Sequence, residues 1–155
     1  MEITVVATGE KKSVTIRPLE DEDFKLLLRK RYFFSWRTLK GKADLYKLYV
    51  SEDEDILGVM ALFDVPTEKR IEIKLLASSK ENVGRQKEHE GIAGCLIAYA
   101  CREALKKYSD RACVSLVPKT ELRANYLTKY GMMDAGWQLF LEGKPLVNII
   151  LKYLS

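Results

Sequence analysis

A chain of 155 residues, 47% hydrophobic and 31% charged, is long enough to bury a core and has the balance of a soluble globular domain. That composition excludes a disordered or fibrous chain, and the net charge of +4 is too small to name a partner by itself. The longest apolar run, residues 56–63, is broken by Gly58 and falls far short of a membrane span; no signal peptide precedes it, so a cytoplasmic protein with no membrane partner is expected.

Two short strands open the sequence at 3–7 and 13–17, with a turn at 9–12 and Pro18 as the stop. Glu20, Asp21, Glu22 and Asp23 then supply a capping candidate and an acidic first turn. The helix they introduce places Phe24, Leu27, Leu28, Arg31, Tyr32, Ser35, Trp36 and Leu39 on one side. Basic residues dominate from Lys25 to Lys47, where Asp44 is the sole acid, and Glu52-Asp53-Glu54-Asp55 follows. This pattern fits a solvated face followed by an acidic turn, or a cationic rim for an acidic partner.

Strands at 45–50 and 56–65 form an antiparallel hairpin, and Gly58 marks a bulge or a close backbone approach. A turn at 66–69 leads to a strand at 71–76, then to a long polar segment at 77–90. A helix from about Gly91 to Tyr108 buries Ile92, Leu96, Ala100 and Ala104. Residues 112–117 read as a strand buried on both faces, ended by Pro118. Thr120 caps a helix that stops at Gly131, and a strand at 133–141 and a helix at 145–154 complete one mixed α/β domain over 1–155. Cys95, Cys101 and Cys113 have neither metal-ligand spacing nor the pattern of a disulfide framework, so reduced core thiols and no metal are expected.

The chemistry concentrates between Arg70 and Tyr108. A strand alternating Ile71, Ile73 and Leu75 carries Glu72, and a polar loop ends in Gly91-Ile92-Ala93-Gly94 at a helix start. Small residues there leave backbone N–H groups uncovered at the positive end of the helix dipole, which suits a pyrophosphate held without a metal. A carboxylate on the adjoining strand then faces chemistry at the far end of the same ligand. Together these elements suggest acyl transfer from a coenzyme. Glu72, flanked by isoleucines, is the candidate base, with a surface pairing to Lys74 as the alternative. A backbone N–H near Leu76 or Ala77 is the candidate oxyanion donor. His89, the one histidine, reads as a solvent-exposed loop residue, and Ser115 and Asn125 as polar liners or ordinary positions.

The element order resembles the GNAT superfamily of N-acetyltransferases over residues 13–141. Arg70-Ile71-Glu72-Ile73 is similar to the family's fourth strand with its frequent glutamate. Gly91-Ile92-Ala93 is similar to the second half of its pyrophosphate motif, and Tyr126-Leu127-Thr128-Lys129-Tyr130-Gly131-Met132 to its closing helix. The basic aromatic opening and the Lys-Tyr-Gly-Met ending resemble small bacterial GNAT-like proteins of unassigned substrate.

The resemblance implies a mixed, mostly antiparallel sheet splayed between the fourth and fifth strands, with helices on both faces and acetyl-CoA in the splay. It implies an N-acetyltransferase whose amine acceptor attacks directly in a ternary complex. Cofactor binding then falls to Leu76, Ala77, Arg85, Lys87, Gly91, Ile92, Ala93 and Gly94, and catalysis to Glu72 and Tyr126. Glu88 stands where the family carries Arg or Gln, so Arg85 or Lys87 is expected to supply the cation. Leu127 stands at the usual acid tyrosine, which leaves Tyr126 or Tyr130, and Tyr126 is the choice. The acceptor, a small-molecule or protein amine, would meet the cluster from Tyr32 to Trp36, the turn from Glu52 to Asp55, and Trp137. Two other readings stay open. One is a catalytically degenerate module that binds CoA or a partner; the other is acetylation of aminoacyl-tRNA, which the basic stretch permits. A homodimer through the last strand or helix is compatible with the sequence.

Overall fold

The computed structural model describes residues 1–25, 27, 39, 41–119 and 122–154. Most of the expected basic aromatic helix, including the cluster from Tyr32 to Trp36, and the Thr120 cap lie outside the described residues.

The chain forms two compact units, Met1–Ala61 with Leu75–Leu96, and Leu62–Lys74 with Ile97–Ser155. The first unit opens with β1 (Glu2–Val5) and β2 (Lys11–Pro18), paired antiparallel with Ile3 opposite Lys12. Next in the sheet come β3 (Asp44–Val50), β4 (Ile56–Val65) and β5 (Arg70–Ser78), with β6 (His89–Glu90) on the outer side of β1. β2 ends at Pro18, as expected; Pro18 stays in register with Tyr46, and one further bond runs from Leu19 N–H to Leu45 O at 2.8 Å. The acidic stretch after it forms a short 3-10 turn, Asp21–Lys25. Asp23 is buried there, accepting from Glu20 N–H at 2.8 Å and from Lys47 Nζ at 2.9 Å.

The β3–β4 turn closes with Val50 N–H donating to Asp55 O at 3.0 Å. β4 is buried without a break from Ile56 to Leu62, as a strand covered on both faces must be. In the first unit Phe24, Leu27, Tyr49, Ile56, Val59, Ala61 and Ala77 form one apolar cluster. The polar segment 77–90 is more ordered than its composition suggests: β5 runs on to Ser78, and His89–Glu90 pairs antiparallel with Thr4 and Val5. Two-residue strands leave no periodicity to read, which is why β6 escapes the sequence.

α1 (Ile92–Tyr108) begins in the first unit and continues in the second, where Ile97, Ala98, Ala100, Cys101 and Ala104 are buried. In the second unit β7 (Cys113–Leu116) runs parallel to β5, with Glu72 opposite Ser115. β9 (Gln138–Glu142) then pairs antiparallel with β7, and β8 (Met133–Ala135) with β9. The single strand expected at 133–141 is thus a hairpin. Gly136, at a φ of 92°, supplies the left-handed turn, and Asp134 caps its N–H at 2.8 Å. α2 (Arg123–Lys129) follows Leu122, and α3 (Gly143–Tyr153) packs on β9 and β7 through Leu146 and Ile149. β5 and β7 pair parallel while β1–β2, β1–β6, β2–β3, β7–β9 and β8–β9 pair antiparallel, so the fold is α/β with a mixed, mostly antiparallel sheet.

Candidate functional site

Gly91 caps α1. Its φ of 105° is a conformation that L side chains rarely adopt, and its carbonyl accepts the first helical bond from Cys95 N–H at 3.0 Å. The N–H groups of Gly91, Ile92, Ala93 and Gly94 therefore precede any intrahelical donor, and the first turn holds no acidic residue. The helix start is fixed from below: a Cβ on Gly58 would meet Ile92 Cγ2 at 2.7 Å and Leu96 Cδ1 at 3.1 Å. The expected close approach at Gly58 is this crossing of β4 by α1.

The loop before the helix is pinned by Asn82, which is buried. Its Oδ1 accepts from His89 N–H at 2.8 Å and lies 3.0 Å from His89 Nδ1, while its Nδ2 donates to Ser79 Oγ at 2.9 Å. His89 is thus half-buried and paired, contrary to the solvent-exposed residue expected. Its ring serves the loop. Arg85 and Lys87 come together with Lys12, Gln86 and Glu88 along an open groove of about 550 Å³. Lys87 is committed to Glu90 at 2.9 Å, and Glu88 is exposed. Lys87 is thereby neutralised by Glu90, Glu88 faces solvent, and Arg85 and Lys12 are further cations along the groove.

Leu76 and Ala77 lie where β5 changes its hydrogen-bonding phase. Cys113 N–H donates to Lys69 O at 3.2 Å and Arg70 pairs with Cys113, which turns the Ile71 N–H toward β7. Regular alternation would turn the Ser79 N–H the same way, yet it donates to Leu57 O of β4 at 3.0 Å. The reversal falls between Ile73 and Ser79, and an irregularity of that kind takes a backbone N–H out of the ladder.

In the second unit Glu72 is largely covered, with 16% of its side chain exposed. Arg70 Nη1 donates to Glu72 Oε1 at 3.1 Å and to Ser115 Oγ at 2.9 Å, and Arg70 Nε pairs with Glu68. Burial opposes the Arg70 charge, but the hydrogen bonds to Glu68 and Glu72 outweigh it and hold the guanidinium above its ordinary value. The surface pair expected with Lys74 is the weaker contact, Nζ to Oε2 at 3.9 Å. Sequence reasoning passed over Arg70, although charges at every second position of one strand (Arg70, Glu72, Lys74) share a face and so must interact.

Tyr126 lies on α2 with its ring 5.9 Å from that of Tyr130, which is itself 6.2 Å from Tyr153. Burial pushes the Tyr126 phenol up, so it stays protonated at neutral pH. Tyr130 is buried and Asn125 exposed. No hydrogen bond joins Tyr126 to Glu72 among the described residues. Among these residues no group of His, Cys, Asp and Glu could hold a metal ion, and no helix is long and apolar enough to cross a membrane.

No family model matches the sequence, and no curated protein matches it either. Solved structures do. The spermidine/spermine N-acetyltransferase SpeG of Vibrio cholerae superimposes with a TM-score of 0.62 at 15% identity, covering 88% of this chain and 96% of that one. A Bacillus subtilis acetyltransferase in complex with CoA gives 0.58 at 14% identity, covering 84% and 99%. A GNAT family acetyltransferase of Elizabethkingia anophelis with acetyl-CoA bound gives 0.58 at 17%, covering 84% and 98%. At such identities the likeness concerns the fold: this chain is built as GNAT acetyltransferases are.

Proposed function

We propose that this chain is an acetyl-CoA-dependent N-acetyltransferase acting on an amine by direct attack in a ternary complex. The observation that carries the reading is the start of α1. Its leading N–H groups have no helical acceptor, its first turn has no acid, and Gly91 enters it at a φ of 105°. The fold is shared with acetyltransferases whose structures hold CoA or acetyl-CoA.

These residues fit a pyrophosphate. Its oxygens would accept from Gly91, Ile92, Ala93 and Gly94, with Arg85 in the adjoining groove as counter-charge. Acetyl-CoA supplies the activated acyl group. A backbone N–H freed near Leu76 or Ala77 would receive the charge that develops on the carbonyl oxygen. The amine nitrogen forms its bond to the acyl carbon as the carbon–sulfur bond breaks. Glu72 takes the proton that the amine sheds, and Tyr126 gives one to the departing sulfur.

Release of free CoA thiol from acetyl-CoA, followed with a panel of primary amines, tests this. Glu72→Gln should lower turnover by about 100-fold without weakening acetyl-CoA binding. A second reading, a module that binds CoA without turnover, draws on the Arg70–Glu72 pair, which engages one oxygen of the candidate base. Acetyl-CoA binding with no thiol released by any amine would select it.

A further inference from the structure

We propose that Arg70 is a positioning residue for Glu72: by holding Oε1 it leaves Oε2 as the oxygen that takes the proton from the acceptor amine. The inference rests on the transferase reading above. It starts from the register of β5 and β7. Parallel pairing sets Glu72 beside Ser115 and Arg70 beside Cys113, so these side chains lie in one row on a single face of the sheet. β9 extends the row with Phe140 opposite Ser115 and Glu142 opposite Cys113.

Arg70 is tied at both ends of this row. Its Nε is engaged by Glu68, and its Nη1 bridges Glu72 Oε1 at 3.1 Å and Ser115 Oγ at 2.9 Å. Ser115 is 2% exposed on the backbone of a buried strand, so it fixes the guanidinium and, through it, the carboxylate. A glutamate on a strand face otherwise has freedom about its side-chain torsions, and ordering it in advance removes that cost from the reaction. Among the described residues Oε2 keeps only Lys74, whose Nζ stands off at 3.9 Å and lies 5.7 Å from the centre of the Phe63 ring. Among the described residues the other charges beside the row are Glu68, which holds Arg70 from its other side, and Glu142 at its far edge. Neither touches Oε2. In the transfer the amine nitrogen bonds to the acyl carbon, its proton passes to Oε2, and the carbon–sulfur bond breaks with a proton from Tyr126. Arg70 exchanges no proton.

The test uses two amines of similar size, ethylamine, which is protonated at neutral pH, and 2,2,2-trifluoroethylamine, which is not. With acetyl-CoA as donor, Arg70→Met should lose about 30-fold to 100-fold in kcat on ethylamine and less than about 3-fold on trifluoroethylamine, which needs little help from a base. The KM for acetyl-CoA should not move. Arg70→Lys, which keeps the charge but not the fork, guards against a variant that fails to fold; it should show the same split in smaller measure. Equal losses on both amines in either folded variant, or none, overturn the role of Arg70 while leaving the transferase standing. A wild type that acetylates neither amine overturns the transferase reading, and the role of Arg70 with it.

Discussion

A Cβ placed on Gly58 would lie 2.7 Å from Ile92 Cγ2, so β4 and the first turn of α1 meet with no room for a side chain between them. The contact sets the height of the helix start above the sheet and so the position of the N–H groups at Gly91 to Gly94. Ile92 is β-branched and buried, and it cannot swing aside as a longer side chain could. Gly58→Val should therefore cost about 1–3 kcal/mol by urea denaturation and weaken acetyl-CoA binding at the same time. Unchanged stability would mean that α1 does not rest on this glycine.

Asn82 should govern the loop in the same way. It satisfies both His89 groups and Ser79 from a buried position, and alanine would leave them without partners. We expect Asn82→Ala to cost about 1–3 kcal/mol and to speed amide hydrogen exchange in residues 79–90 ahead of the rest of the first unit. Exchange that rises evenly across that unit would contradict a local role.

Much of the fold was legible because its signals are periodic. The hairpin of β3 and β4, the helix at 92–108 and the buried strand at 113–116 follow from alternation, helical spacing and a run of apolar residues. What escaped has no period: β6 is two residues long, and the β8–β9 turn sits inside a stretch that reads as one strand until Gly136 takes its left-handed shape. The site divides the same way. Gly91 and the small residues after it announce a helix start, whereas the partners of Glu72 depend on a parallel register between strands far apart in sequence. Alternation placed Glu72 and Lys74 on one face but did not choose between Lys74 and Arg70. The short guanidinium contacts decide it.

The cysteines predict a pH dependence. Burial pushes the Cys95 thiol up to about 11 and Cys101 up to about 12. In the unfolded chain thiols ionise near about pH 8.5, so above that point the folded state binds more protons and stability falls as pH rises. The contribution is whole below about pH 8.5 and is lost on the way to about pH 11–12, with a slope of up to about 1.4 kcal/mol per pH unit for each thiol. The Cys95→Ala, Cys101→Ala double variant should flatten the fall in urea stability between about pH 9 and about pH 11. An equally steep fall would assign it to other groups.

The proposed function places the pyrophosphate of acetyl-CoA at the start of α1. Calorimetric titration of the wild type and of Ala93→Asp tests it most directly, because an acid in the first turn favours the helix dipole yet repels a bound anion. Micromolar binding by the wild type is expected, with a loss of at least about tenfold in a variant whose thermal midpoint is equal or higher. Equal affinity in the two proteins, or no binding by a folded wild type, would contradict it.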